Sequence, residues 1–209
     1  MLSSHYKFFP TELSRLHIAL FDDVKNAAEL RARLVKASTM EGEEGEKERE
    51  AVNFGFVDAA PIASLLHLQT AIQQATLACT DESMKTKTVH SEILWALNSG
   101  SNIGEAIKRF GVSDTTKSLF AVRVCGPELS IEQVLESMKA VIQGEEVPFE
   151  KLDEMTDWDR VIKYYHNKSK GSADEEVTKL MNQKPLSDKG KRVINEIVVS
   201  SVAMKTVMA

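Results

Sequence analysis

The chain has 209 residues, 43% of them apolar, with 26 Lys and Arg against 31 Asp and Glu for a net charge of −5. That length suits one domain with a full hydrophobic core, no apolar run approaches the ~18 residues of a membrane span, and the opening MLSSHYKFFP lacks the apolar centre of a signal peptide. Two cysteines, Cys79 and Cys125, make no disulfide framework and read as reduced thiols of a cytosolic or nuclear protein.

Within Leu13–Phe21, the alternation of Leu16, Ile18 and Leu20 predicts a half-buried strand. Asp22 and Asp23 offer a cap for a helix carrying Val24, Ala27, Leu30 and Leu34 at helical steps. The run EGEEGEKERE, Glu41 to Glu50, holds six acids, two bases and two glycines. It buries too little apolar surface to offset its ordering entropy, so residues 38–51 are expected to form a disordered acidic insert. NFGFVD, Asn53 to Asp58, predicts a short strand, and Pro61 opens a helix with Leu65, Leu68, Ile72 and Ala75 on one face. Val89–Leu97 fits strand or helix; the stop at Asn98-Ser99-Gly100-Ser101 after nine residues favours a strand.

A compact helix follows over Asn102–Phe110, then a strand over Ser118–Val124. Ser130 and Gln133 form a capping box for a helix bearing Ile131, Val134, Leu135, Met138, Val141 and Ile142, with Gly144 as its stop. Trp158, Val161, Ile162 and Tyr165 make another helical stripe, and Asp174–Met181 suits a short helix. Beyond Pro185 lies a final amphipathic helix, Asp188 to Val207. From Arg160 to Ala209 there are ten bases and five acids, which reads either as a basic surface for an anion or as a charge-balanced helical exterior. Strands and helices intermix without a βαβ rhythm. The class is α+β: a single domain over residues 1–209, with a small, mostly antiparallel sheet surrounded by helices and a C-terminal amphipathic helix.

Motifs for chemistry are sparse. Gly190-Lys191 lacks the glycine five residues earlier and the Ser or Thr that a phosphate-binding P-loop requires, having Pro185 and Arg192 there. Gly100-Ser-Asn-Ile-Gly104 opens a helix but lacks the dinucleotide spacing. His90, Ser91 and Glu92, if on a strand, alternate between faces and make no triad. The histidines and cysteines show no zinc spacing. No catalytic, metal or cofactor site is expected, and an enzyme reading rests only on His90 with Glu92 and the Gly100–Gly104 turn.

Two helix surfaces remain. Asn102 and Glu105 box the start of a helix on which Ile103, Ile107 and Phe110 share a stripe with Ala106 beside them. A helix of about nine residues is marginal alone in water, so either the protein's own core or a partner covers that stripe. Val193, Ile194, Ile197, Val198, Val202 and Met204 form a wide apolar arc on the last helix, with the same two readings.

Ser91 through Val124, centred on Asn102-Ile-Gly-Glu-Ala-Ile-Lys-Arg-Phe-Gly111 and followed by LFAVRV, resembles the TPRKB family, the small kinase-binding subunit of the KEOPS (EKC) complex. Leu20-Phe-Asp-Asp-Val-Lys-Asn-Ala and Val161-Ile-Lys-Tyr-Tyr carry the resemblance toward both ends. It implies a non-catalytic α+β protein without cofactor, a monomer outside the complex. Such a protein binds and stimulates the complex's small atypical kinase/ATPase and contacts other subunits through it. It also implies support of threonylcarbamoyl-adenosine (t6A) formation beside the tRNA anticodon, contact with the tRNA 3′ end, cytoplasmic and nuclear residence, and a telomere link in fungi. Ile103, Ile107, Phe110 and Ala106 carry over as kinase-interface candidates, with Ile197 and Val202 from the last helix. Archaeal relatives have a basic residue in the segment where this chain reads Trp95-Ala96-Leu97. The tRNA candidates are therefore the local bases Lys163, Lys168, Lys170, Lys191 and Arg192, with Tyr164, Tyr165 or His166 for base stacking. The alternative is a stand-alone single-stranded RNA-binding protein that uses this basic C-terminal third.

Overall fold

A computed structural model of the chain describes residues 1–165, 175–181 and 183–208. Its sheet is built from β1 (Leu2–His5), β2 (Arg15–Asp22), β3 (Gly55–Asp58), β4 (Leu119–Cys125) and β5 (Glu145–Val147). The order is β1-β2-β4-β3, with β5 also paired to β2, and every pairing is antiparallel. Leu16 faces Val124, Ile18 faces Val122 and Leu20 faces Phe120, so the even residues of both central strands build one face.

The helices are α1 (Ala27–Thr39), α2 (Gly42–Ala51), α3 (Leu65–Thr80), α4 (Val89–Leu97), α5 (Ile103–Phe110), α6 (Ile131–Val141), α7 (Leu152–Met155), α8 (Trp158–Tyr165), α9 (Glu175–Met181), α10 (Asp188–Ala203) and α11 (Lys205–Met208). Leu68 and Ile72 of α3, Ile93 and Leu97 of α4, Phe110, Val161, and Ile194 and Val198 of α10 bury themselves on the even face. Leu30 of α1 and Val134 and Met138 of α6 cover Ala19, Phe21, Leu119 and Ala121 on the other. The α+β class read from the sequence is the observed one. Among the described residues no helix is long and apolar enough to cross a membrane.

Three local expectations are corrected. The strand β2 is buried on both faces rather than one, because helices lie on each side of the sheet. Val89–Leu97 is helical: Thr88 accepts from the Ser91 amide and Ser91 accepts in return, a capping box that starts α4, while His90, Ile93 and Leu97 turn inward at helical steps.

Residues 38–51 do not form a disordered loop. The first helix, α1, runs on to Thr39, and the acidic run folds as α2 although only Gly45 of it is buried. Ion pairs replace a core there. Arg33 of α1 grips both carboxylate oxygens of Glu48, Arg49 donates to the Met40 carbonyl at 2.7 Å, and Arg123 of β4 reaches Glu50 at 2.6 Å. Glu43 and Glu44 suit the positive N-terminal end of the helix. Gly45 permits the close turn, since a Cβ there would stand 2.5 Å from the Met40 carbonyl oxygen.

Smaller shifts follow the caps. Asn26 rather than Asp22 or Asp23 precedes α1, and Ser64 rather than Pro61 starts α3 by accepting from the His67 amide. The last helix divides at Met204 into α10 and α11. Asp174 lies outside the described residues.

Candidate partner-binding surface

The helix α5 forms because Asn102 accepts from the Glu105 amide at 3.1 Å, Glu105 sits in the first turn, and Lys108 and Arg109 sit in the last. At about 100° per residue, Ala106, Phe110, Ile103 and Ile107 lie in that order across an arc of about 100°. The protein buries only one edge of this arc. Ala106 and Phe110 are fully buried, whereas Ile103 is 36% and Ile107 50% exposed. Phe110 meets Tyr164 and Tyr165 edge to face, with centroids at 5.6 and 6.2 Å. Phe110 and Ala106 are therefore corrected from contact candidates to core residues, and Ile103 and Ile107 remain as the open half of the stripe.

The last helix divides in the same way. Ile194, Val198 and Val202 are buried in the main core, so Val202 is also corrected to a core residue. Ile197 is half-buried against that core. Met204 and Val207, beyond the end of α10, are exposed at 50% and 79%.

Around α5 the polar groups are closely tied. Arg109 stacks 4.9 Å from the Tyr164 ring centre and donates to Asn98 Oδ1 at 3.1 Å. Arg160 donates to Asp58 Oδ2 at 3.1 Å and lies 5.9 Å from the Tyr164 ring centre. Burial raises the Asp58 carboxyl above its usual range, against the pull of Arg160. Below it, the His67 ring accepts from the Ala63 amide at 3.2 Å through Nδ1 and so donates through Nε2 to the Tyr165 hydroxyl at 2.8 Å. That hydroxyl in turn donates to the Leu97 carbonyl. Full burial pushes the His67 pKa down to about 3.

The tRNA candidates are described only in part. Lys163 is exposed on α8, and Lys168, Lys170 and His166 lie outside the described residues. Lys191 pairs with Asp153 at 2.7 Å and sits 5.6 Å from the Trp158 ring. Arg192 is exposed, its Nε 3.4 Å from the Asp188 carbonyl. Tyr165 is buried, and Tyr164 is half-buried with both Arg109 and Arg160 near its ring.

Nor do His90 and Glu92 meet at a catalytic centre. His90 accepts from the Val124 amide at 3.1 Å and donates to Asn53 Oδ1 at 2.9 Å, and burial lowers its pKa to about 3. Glu92 is consumed by the Lys85 and Thr86 amides and the Thr86 hydroxyl. No group of three His, Cys, Asp or Glu side chains among the described residues is placed to hold a metal.

Sequence reasoning missed two residues beside α5, Asn98 and Lys205. Asn98 is fully buried, and its side chain donates to the Gly100 and Asn102 carbonyls at 3.1 and 3.3 Å. Lys205 is 7% exposed and donates into the same turn. An asparagine after a helix and a lysine near a chain end are ordinary in sequence; no pattern singles them out.

A family model described as kinase binding protein CGI-121 matches residues 21–206. The chain is 38% identical over 193 residues to a protein named EKC/KEOPS complex subunit CGI121 from Cryptococcus neoformans var. neoformans serotype D (strain JEC21), across 77% of this chain and 84% of the relative. It is 33% identical over 175 residues to the protein of that name from Coccidioides immitis (strain RS), across 82% and 79%. Against the Aspergillus fumigatus relative the figures are 32% over 168 residues, 79% and 83%.

Proposed function

The chain belongs to the CGI-121 family of kinase-binding proteins, and from that premise we propose that it is a non-catalytic subunit of an EKC/KEOPS complex. It binds the complex's small kinase/ATPase directly, meets the other subunits through that kinase, stimulates it, and so supports t6A formation beside the tRNA anticodon. One observation supports siting the contact on α5: the protein buries Ala106 and Phe110 in its own core while leaving Ile103 and Ile107 exposed on the adjoining edge. A half-exposed isoleucine pair on a short, doubly capped helix is a rigid apolar anchor of the kind that a partner groove takes.

Stand-alone RNA binding has less to draw on, because one of its candidate bases, Lys191, is already engaged by Asp153. Reconstitution tests the subunit reading. The complex assembled without this chain should lose most kinase-dependent ATP hydrolysis and t6A formation, and the wild-type chain should restore both. Ile103→Asp/Ile107→Asp should restore neither. Full restoration by that double variant, with its fold intact, would remove α5 from the contact.

A further inference from the structure

Between α4 and α5 runs a turn, residues 98–102, in which the Asn98, Gly100, Ser101 and Asn102 carbonyls accept from side chains. The ammonium of Lys205, from the far end of the chain, donates to the carbonyls of Trp95, Asn98 (2.5 Å) and Gly100 (3.1 Å). It also lies 3.6 Å from the centre of the Trp95 ring. The Trp95 indole N–H donates to the Ser101 carbonyl at 3.2 Å, and the Asn98 amide takes the Gly100 and Asn102 carbonyls. Asn98 Oδ1 then receives Arg109 from the last turn of α5, while Asn102 caps the first. Both ends of α5 are thus fastened to one turn, and that turn is closed around a buried cation.

We propose that Lys205 is a positioning residue for the partner-binding helix: it orders the 98–102 turn and thereby fixes the angle at which α5 presents Ile103 and Ile107. The physical grounds are threefold. The C-terminal end of α4 leaves carbonyls without intrahelical partners, and a cation placed there meets both their lone pairs and the negative end of the helix. A lysine is rarely as buried as this, and burial favours its neutral form, lowering its pKa to about 8 although Glu92 opposes the shift. A group held at that cost against neutral carbonyls and an indole face has a geometric task, since among the described residues no carboxylate is bonded to it. Finally, Met204 and Val207 beside Lys205 remain exposed, so the segment is not retained by apolar burial at those positions. The inference rests on the α5 reading above.

The full chain carrying Lys205→Met keeps the aliphatic stem but removes the ammonium. Titrated with the kinase subunit, this variant should bind about tenfold more weakly, with faster amide exchange confined to residues 98–109. Lys205→Arg, which keeps the charge and the donors, should recover part of the affinity. In a Trp158→Phe background the single remaining tryptophan, Trp95, reports the latch, and its emission should shift on Lys205→Met. Unchanged affinity in Lys205→Met beside lost binding in Ile107→Asp would overturn the proposal, leaving Lys205 as a tail anchor. Unchanged affinity in both variants would instead refute the α5 reading. Should Lys205→Met fail to fold, exchange in the wild-type chain decides: protection of the Gly100–Glu105 amides equal to that of the last turn of α5 supports the latch, and solvent-like exchange overturns it.

Discussion

Separating Ile107 from Phe110 is the sharpest test of how α5 divides between core and contact. Ile107 is 50% exposed, so a partner that covers it removes about half of an isoleucine side chain from water. Full burial of such a side chain is worth about 1.5–3 kcal/mol, which leaves about 1 kcal/mol for Ile107→Ala, or about fivefold in affinity. Ile107→Asp adds the desolvation of an unpaired carboxylate against an apolar surface, several kcal/mol more, and should bring binding below detection. Its effect on folding is moderate: about 1 kcal/mol for the half of the side chain that the free protein already buries, a propensity loss of about 0.5 kcal/mol and a few tenths for a negative charge near the helix C-terminus. Phe110→Ala reverses the pattern. Its ring is fully buried against Tyr164 and Tyr165, and truncation should cost about 3–5 kcal/mol of stability. Urea denaturation and calorimetric titration with the kinase read the two effects separately. If Ile107→Asp binds at wild-type affinity, or Phe110→Ala keeps wild-type stability while losing binding, the division of this helix is wrong.

Acid should unfold the protein through two histidines. His67 and His90 both titrate at about 3 when folded against about 6.5 unfolded, so the unfolded state binds more protons between those values. Their contribution is complete above about pH 6.5 and is lost as pH falls, with a slope approaching about 2.7 kcal/mol per pH unit; a urea midpoint that stays flat from pH 7 to 5 would contradict it. Arg33→Ala removes the two-point grip on Glu48 and should speed amide exchange across α2 while leaving the sheet protected. Tyr165→Phe deprives His67 Nε2 and the Leu97 carbonyl of their partner and should lower stability by about 1–3 kcal/mol in the same denaturation assay.

What was legible in the sequence was whatever local periodicity or capping chemistry decides. The Ser130–Gln133 box and the Asn102 cap stand where the sequence puts them. The β1 and β5 strands were not legible, because Leu-Ser-Ser-His and Glu-Glu-Val carry no apolar alternation and become strands only by pairing with β2. Val89–Leu97 misled because a short apolar run bounded by a turn fits strand or helix, and Thr88 with Ser91 is a weaker cap signal than the glutamate form. Residues 42–51 misled more instructively: their charges lack an apolar face but find Arg33 and Arg123, which are distant in sequence. On α5 the spacing correctly groups Ile103, Ile107, Ala106 and Phe110 on one arc, but which edge faces the core depends on where Tyr164 and Tyr165 fall.

Ten bases against five acids from Arg160 onward suggest a field that could hold an RNA backbone. A field of that kind requires side chains that project unpaired from one face. Here Arg160 is bound to Asp58, Lys184 to Asp159, Lys191 to Asp153, and Lys205 is turned inward to carbonyls. All three of those acids lie before Arg160 in sequence, so a count by segment assigns to the tail a charge that the fold has already neutralised. Arg160, Lys191 and Lys205 therefore help to attach α8, α10 and α11 to the rest of the protein, while Lys163 and Arg192 stay exposed. Among the described residues the Ile103–Ile107 edge is an apolar feature left open to a partner, and it lies on the helix that Lys205 and Asn98 fasten in place.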